Sequence, residues 1–217
     1  ASATEIELDK KVRENIATAG GEIIDITLDA FTDDDWSKAL FLLFYEFNNG
    51  LNEYLKQSNS KHNSIDDIIE NNQKREGEIL KYFGQELMIE SSKAAKGKIY
   101  DGEKSELVYA DATAVTLKAQ SIIDKTLEDN SIDLIVGLTR NPAWKIDYEN
   151  GDNFSDSWGN GSLSAIAGYP HITIPLSYVD GLPVGVSFMA SSWEESNIIN
   201  AAFAFEHINN FIPRPIR

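Results

Sequence analysis

Residues 162–206, SLSAIAGYPHITIPLSYVDGLPVGVSFMASSWEESNIINAAFAFE, constrain the fold of this chain more than any other stretch. A run of small residues reads as a helix. His171 to Pro175 and Pro183 to Met189 then read as two strands joined through Val179-Asp180-Gly181, where Gly takes the positive φ that a hairpin turn requires. Gly185 inside the second strand marks a close backbone approach or a bulge. Ser192-Trp193-Glu194-Glu195 predicts the cap of a final helix carrying Ile198, Ile199, Ala202, Phe203 and Phe205, and Pro213 ends regular structure. A hairpin followed at once by an apolar helix calls for that helix to cover one face of a sheet.

The chain before it is mostly helical in pattern. Thr4-Glu5-Ile6-Glu7 fits a capping box, and Leu8, Val12 and Ile16 recur at helical spacing to about Ala19, where Gly20-Gly21 stops the helix. Residues 22–28, EIIDITL, are β-branched and flanked by turn residues, which predicts a strand. Thr32 to Asp35 opens a second helix, with carboxylates at its positive end. Along it Leu40, Leu43, Phe44, Phe47, Leu51, Tyr54 and Leu55 form a stripe that reads as core, and Asn48-Asn49-Gly50 predicts a weak point or kink. Ser64 caps a third helix extending to Lys81, a shorter helix follows over 85–93, and another spans 102–130. Ile132 to Val136 is a short apolar strand covered on both faces, and 139–160 is a long irregular loop. Helices outnumber strands. The pattern is α/β, with helices covering a mixed β-sheet, and without repeats or a low-complexity linker it reads as one domain over 1–217.

Charge and cysteine content narrow the function. The net charge of −16 is spread along 217 residues and repels phosphate backbones and anionic headgroups, so neither nucleic acid nor membrane is an expected partner. With no cysteine there is no disulfide, thiolate zinc site or Cys nucleophile, and only His62, His171 and His207 supply imidazoles. The apolar run at Phe41 to Phe44 is broken by Glu46, so no membrane span is expected. The opening Ala-Ser-Ala-Thr lacks the basic and apolar regions of a signal peptide, which leads to the expectation of a cytoplasmic protein.

The candidate chemistries are weak one by one. Ser58-Asn59-Ser60-Lys61 matches S-x-x-K but lies in a polar linker instead of a helix start, so it reads as a chance match. Ser91-Ser92-Lys93 places neighbours on diverging directions of a helix and reads as a solvated helix end. Ser162 or Ser164 with His171 and Asp180 makes a triad on paper only, without a nucleophile elbow. Asp147, Glu149, Asn150, Asp152, Asn153 and Asp156 form an oxygen-rich loop whose spacing departs from the EF-hand pattern, so no metal site is expected and an Asx-rich turn is preferred. Two glycosylation sequons begin at Asn153 and Asn160. No phosphate- or dinucleotide-binding glycine pattern is present, and no cofactor is expected.

Several stretches together resemble one family. Ala167-Gly168-Tyr169-Pro170, Ile172-Thr173, Pro175, and Asp180 to Gly185 are similar to the C-terminal region of amidase signature enzymes. Residues 133–152, with Thr139, Pro142-Ala143-Trp144 and Gly151-Asp152, resemble the preceding loop of the peptide-amidase-like branch. Phe83 to Glu86, Glu46-Phe47 and Tyr54-Leu55 resemble upstream landmarks in the same order. The resemblance implies the C-terminal portion of an amidase signature fold. It also implies acyl transfer by a Ser nucleophile, a second Ser in a cis peptide and a Lys base, with backbone amides as the oxyanion hole. Those groups belong to a Gly/Ser-rich region N-terminal to everything matched, and no such run occurs here.

The expected function is therefore a C-terminal fragment of an amidase that cleaves carboxylic amides. The fragment has no catalytic residues of its own and is inactive alone, with Trp144 and Asp147 as candidate walls of a substrate pocket. Trp144 packing the loop is an equal reading. The partners expected are an amide substrate in the full-length enzyme and either the missing N-terminal half or a second copy. The alternative is a non-catalytic binding or assembly module. A degraded remnant is a third reading.

Overall fold

A computed structural model describes residues 1–96, 105–151, 159 and 161–214. The chain divides into two compact units, Ala1–Asp29 with Thr116–Arg217, and Ala30–Val115. The elements in chain order are α1 (Ala3–Thr18), α2 (Asp33–Gln57), α3 (Ile65–Lys74), α4 (Glu76–Ile79), α5 (Glu86–Ala95), α6 (Ser105–Ala112), α7 (Ala114–Asn130), β1 (Ile135–Leu138), α8 (Gly161–Ala167), β2 (His171–Val179), β3 (Leu182–Met189) and α9 (Glu195–Asn209).

The first unit is built on the hairpin. Strand order is β1-β3-β2 and both pairings are antiparallel, so the α/β class stands while the sheet, expected to be mixed, is antiparallel across its described strands. Asp180 (φ 50°) and Gly181 (φ 79°) both lie in the left-handed region, the signature of a type I′ two-residue turn, whose twist matches the flanking strands. Ile174, Leu176, Val184, Val186 and Phe188 point to one face and pack with Leu8 and Val12 of α1 and Ala202 and Phe205 of α9.

A β-bulge between Pro175 and Ser177 interrupts this face. Its carbonyls are met from two helices. Lys11 donates to the Leu176 carbonyl at 2.9 Å, and Asn209 Nδ2 donates to the Pro175 and Leu176 carbonyls at 3.0 and 3.1 Å. The irregularity thus has its backbone groups satisfied by side chains from α1 and α9.

Several expected elements differ. The α1 capping box is Ser2–Glu5, one overlapping S/T-x-x-E match earlier than Thr4–Glu7, and this lengthens the helix. Residues 22–28 form no strand: their β-branched sequence favours extension, but a strand exists only where a ladder partner lies alongside. β1 begins three residues later than Ile132 and runs to Leu138. Trp193 adopts φ 64°, which delays the start of α9 to a cap at Glu194 with no side-chain capping bond, in place of the expected Ser192–Glu195 box.

The second unit packs α3, α5 and α6 around α2. The Thr32–Asp35 capping box forms as expected. The helix runs unbroken through Asn48-Asn49-Gly50, because Asn48 is buried and accepts from Asn52 at 2.9 Å, while Asn52 Oδ1 takes the Ile65 amide at 2.7 Å. The stripe read as core is only partly so. Of its residues Leu55 alone is buried and Phe44 and Leu51 are half-buried, whereas Leu40, Leu43, Phe47 and Tyr54 are 45–68% exposed. The buried large residues of the helix's first half are Phe41 and Leu42, outside the stripe. α2 is apolar on two sides, and its neighbours within the unit cover one. α3 stops at Lys74, short of Lys81, because Arg75 leaves helical geometry (φ −117°, ψ 30°) before the single turn of α4. The helix expected over 102–130 is two helices among the described residues. They meet at Thr113, whose hydroxyl bonds back to the Ala110 carbonyl at 2.7 Å.

Candidate functional site

The loop resembling the peptide-amidase branch leaves the sheet at Thr139, and the geometry there is tight. The Thr139 amide donates to the Gly185 carbonyl at 2.9 Å, continuing the ladder beyond β1. Thr139 Oγ1 lies 2.6 Å from Ser187 Oγ, which lies 3.0 Å from Thr173 Oγ1, so three hydroxyls form a row across three strands. Ser187 is fully buried. Gly185 sits beside this row because nothing larger fits. A Cβ there would come within 2.7 Å of Thr173 Cγ2, 2.9 Å of Thr139 Oγ1 and 3.2 Å of the Ile174 carbonyl. This is the close approach read from the sequence. The hydroxyls bond one another, and no base touches them in this network, so it positions the loop and activates no nucleophile.

Beyond Thr139 the loop is tied back by an isolated bridge between Arg140 and Gly159. The Arg140 guanidinium lies over the Trp144 ring, 5.5 Å from its centroid, and Trp144 is 39% exposed. Asp147 closes an Asx turn. Its carboxylate accepts from Asn150 Nδ2 at 2.9 Å and from the Asn150 and Glu149 amides at 3.0 and 2.9 Å. Those bonds, the Asn150 side chain first, hold its pKa below the ordinary carboxylate range. Trp144 is thus engaged by a cation from its own loop, and Asp147 by its own turn.

The other candidates separate. Ser164 is buried and donates to the Gly161 carbonyl, and His171 and Asp180 stand at opposite ends of β2, roughly 30 Å apart along an extended strand. No triad forms. His171 Nε2 is buried without a hydrogen-bond partner among the described residues, and burial lowers the imidazole pKa. Ser91 and Ser92 are buried, which corrects their reading as a solvated helix end. Ser91 bonds the Leu87 carbonyl and Ser92 the Asp66 carboxylate, at 2.7 and 2.6 Å. Ser58 caps α2 by bonding the Leu55 carbonyl. No metal-holding group of acids or histidines occurs among the described residues. Asp152, Asn153, Asp156 and the sequons at Asn153 and Asn160 lie outside those residues, as does the Asp152 end of the family loop.

One polar cluster has no counterpart among the sequence-based expectations. Asp124 of α7 accepts from the Tyr169 hydroxyl and from Ser191 Oγ, both at 2.7 Å, and Gln120 donates to the Ala167 carbonyl at 2.9 Å. The Ala167-Gly168-Tyr169-Pro170 turn is therefore clamped onto α7, with Gly168 at φ 70°. Burial, then the Asp124 carboxylate, raises the Tyr169 pKa. The signal in the sequence is a carboxylate next to Ile122 and Ile123, on a helix face otherwise committed to the core.

No family model matches the chain. Individual relatives do. A probable amidase of Arabidopsis thaliana is 33% identical over 167 residues, covering 76% of this chain and 28% of its own length. A glutamyl-tRNA(Gln) amidotransferase polypeptide of Pseudomonas entomophila is 35% identical over 88 residues, 39% of this chain and 18% of that one. Among solved structures, a peptide amidase in complex with the competitive inhibitor chymostatin superposes with a TM-score of 0.80 at 30% identity, covering 98% of this chain and 42% of its own. The native peptide amidase of Stenotrophomonas maltophilia gives 0.78 at 28%, covering 98% and 41%.

The fold and motifs thus define an α/β chain of the amidase signature type. More narrowly, it is similar to the peptide amidases over nearly all of its own length, while spanning about two-fifths of theirs. No helix among the described residues is long and apolar enough to cross a membrane.

Proposed function

We propose that this chain is the C-terminal part of an amidase signature hydrolase of carboxylic amides, and that it is inactive alone. Its observed basis is the superposition of 98% of the chain on 42% of a peptide amidase. On this reading the Ser nucleophile, the cis-peptide Ser and the Lys base belong to polypeptide outside the matched portion. No Gly/Ser-rich signature run occurs in the sequence. The chain's own contribution is positional. The hydroxyl row and Gly185 fix where the 139–151 loop leaves the sheet, and Trp144, stacked on Arg140, offers a flat apolar surface as one wall of the substrate pocket. Asp147 acts in that wall through the shape of its turn and not as a proton carrier, since its carboxylate is committed to residues 149 and 150. Peptide C-terminal amides are the proposed substrate class, by likeness to the peptide amidases.

The test is a fluorophosphonate serine probe and a simple peptide amide. Each is presented to the isolated chain and to the chain co-expressed with the unmatched portion of the Stenotrophomonas maltophilia peptide amidase. The expected result is no labelling and no ammonia release from the isolated chain, with both appearing on the added portion in the pair. Specific labelling of a serine in this chain alone overturns the claim that it has no catalytic centre. A second reading, a non-catalytic assembly module, draws support from the exposed apolar side of α2. It predicts pairing without hydrolysis.

A further inference from the structure

β2 pairs only with β3 among the described residues, so its far side is an open strand edge, a template on which another strand can add. The ladder shows which groups face that way. The Gly185 carbonyl bonds the Thr139 amide on the β1 side, so its neighbour Val186 turns to β2 and meets Ile174. By alternation the backbone groups of His171, Thr173 and Pro175 point away from the sheet. The His171 and Thr173 amides meet no partner across this edge among the described residues. Pro175 has no amide to offer, and its carbonyl is taken by Asn209.

The strand this edge fits is its own copy. Two identical edges related by a two-fold axis are antiparallel and self-complementary. Centred on Thr173, such a pair exchanges both Thr173 amide–carbonyl bonds, and each His171 amide reaches the Pro175 carbonyl of the other copy. The outer bonds therefore require free Pro175 carbonyls, and α9 occupies them. Asn209 Nδ2 donates to the Pro175 and Leu176 carbonyls at 3.0 and 3.1 Å. Asn15 of α1 donates to Asn209 Oδ1 at 3.0 Å, which fixes the amide in that orientation.

A charge and a strap reinforce the block. Lys11 of α1 reaches the Leu176 carbonyl at 2.9 Å, and its ammonium lies 5.6 Å from the centroid of the Phe211 ring. Phe211 in turn meets Tyr178 of β2 edge-on, with centroids 5.0 Å apart. The Tyr178 hydroxyl accepts the Arg214 amide at 2.6 Å and donates to the Arg214 carbonyl at 3.0 Å. Residues 210–214 are thereby tied to the far end of β2 and keep Lys11 beside the bulge.

We propose that Asn209, Lys11 and the 210–214 strap form a guard that keeps the outer edge of β2 from pairing with the same edge of a second copy of this chain. Each copy then offers only Thr173 for pairing, which is too little for a ladder. This role is independent of hydrolysis and of the exposed side of α2.

The experiment compares wild type with Asn209→Ala, in which the Pro175 carbonyl is free. Light scattering and amide exchange follow each over a roughly hundredfold range of concentration. In the wild type, exchange at His171 and Thr173 is expected to be independent of concentration. In Asn209→Ala the mass doubles at the upper end, and both amides slow about tenfold or more. Adding Thr173→Pro to Asn209→Ala removes the central donor at an edge position and is expected to return a monomer. Asn209→Asp keeps the side-chain shape without either donor and replaces Asn209→Ala should that variant fail to fold. Three results overturn the proposal: both Asn209 variants staying monomeric, association without protection of His171 and Thr173, or a dimer that survives Thr173→Pro. Protection of these amides rising with concentration in the wild type overturns it as well.

Discussion

Gly185→Ala tests the packing that fixes the loop exit. The added methyl meets Thr173 Cγ2 at 2.7 Å, Thr139 Oγ1 at 2.9 Å and the Ile174 carbonyl at 3.2 Å. Both threonines are short, β-branched and held by Ser187, and the third contact is backbone, so none of the three is a flexible tip that swings aside. Overpacking of this kind costs about 1–3 kcal/mol. Displacing Thr139 also breaks the 2.6 Å bond to buried Ser187, worth about 1 kcal/mol more. The sum, about 2–4 kcal/mol, lowers the melting temperature by roughly 4–16 °C in a chain of this size. Calorimetry measures it, with Gly50→Ala as the opposing control. Gly50 lies inside α2 with nothing within 4 Å of an added Cβ, so that change stabilises by roughly 0.5–1 kcal/mol. Thr173→Ser in the Gly185→Ala background removes the methyl responsible for the shortest contact and restores part of the loss. An unchanged or raised melting temperature for Gly185→Ala would refute the steric argument.

Three further outcomes are expected. Asn209→Ala removes both side-chain donors to the bulge carbonyls and the acceptor for Asn15, and lowers stability by about 1–3 kcal/mol in urea unfolding, with Lys11 still on Leu176. Burial depresses the His171 pKa, so the unfolded chain binds this proton first. The stability that neutral His171 contributes is present above about pH 6.5 and lost as the pH falls below it, and His171→Gln flattens the melting temperature between pH 7.5 and 5 relative to the wild type. Leu43→Glu on the exposed side of α2 changes stability by less than about 0.5 kcal/mol and reduces concentration-dependent association in light scattering.

What is legible in the sequence is local. The hairpin follows from Asp180-Gly181 between alternating strands, and the α2 start from Thr32 with Asp35. Both are decided within a few residues by turn and cap chemistry. The close approach at Gly185 is also readable, because a glycine inside a strand has few other uses. The illegible parts depend on neighbours distant in sequence. Periodicity shows that Leu40, Leu43 and Phe47 lie on an apolar face but not whether anything covers it, and α2 has two such faces. Asp124 is an ordinary helical carboxylate until Tyr169 and Ser191 reach it from 45 and 67 residues away. At the candidate site, resemblance alone points to Trp144 and Asp147. Their actual engagements, a cation over the ring and an Asx turn, are short-range features that the resemblance does not contain.

The failed strand at 22–28 carries the most physical content of these differences. Its residues are as β-prone as those of β2, and Arg13 of α1 bonds Asp25 within it, yet it forms no ladder among the described residues. Propensity therefore does not separate the two; the number of adjacent backbones does, since a strand is a pairing and not a property of one segment. The same logic explains why the sheet is antiparallel. An antiparallel hairpin such as β2–β3 needs only a two-residue turn, whereas a parallel pair needs a crossover with a paired strand on each side of it, and the segment after α1 pairs with no strand among the described residues.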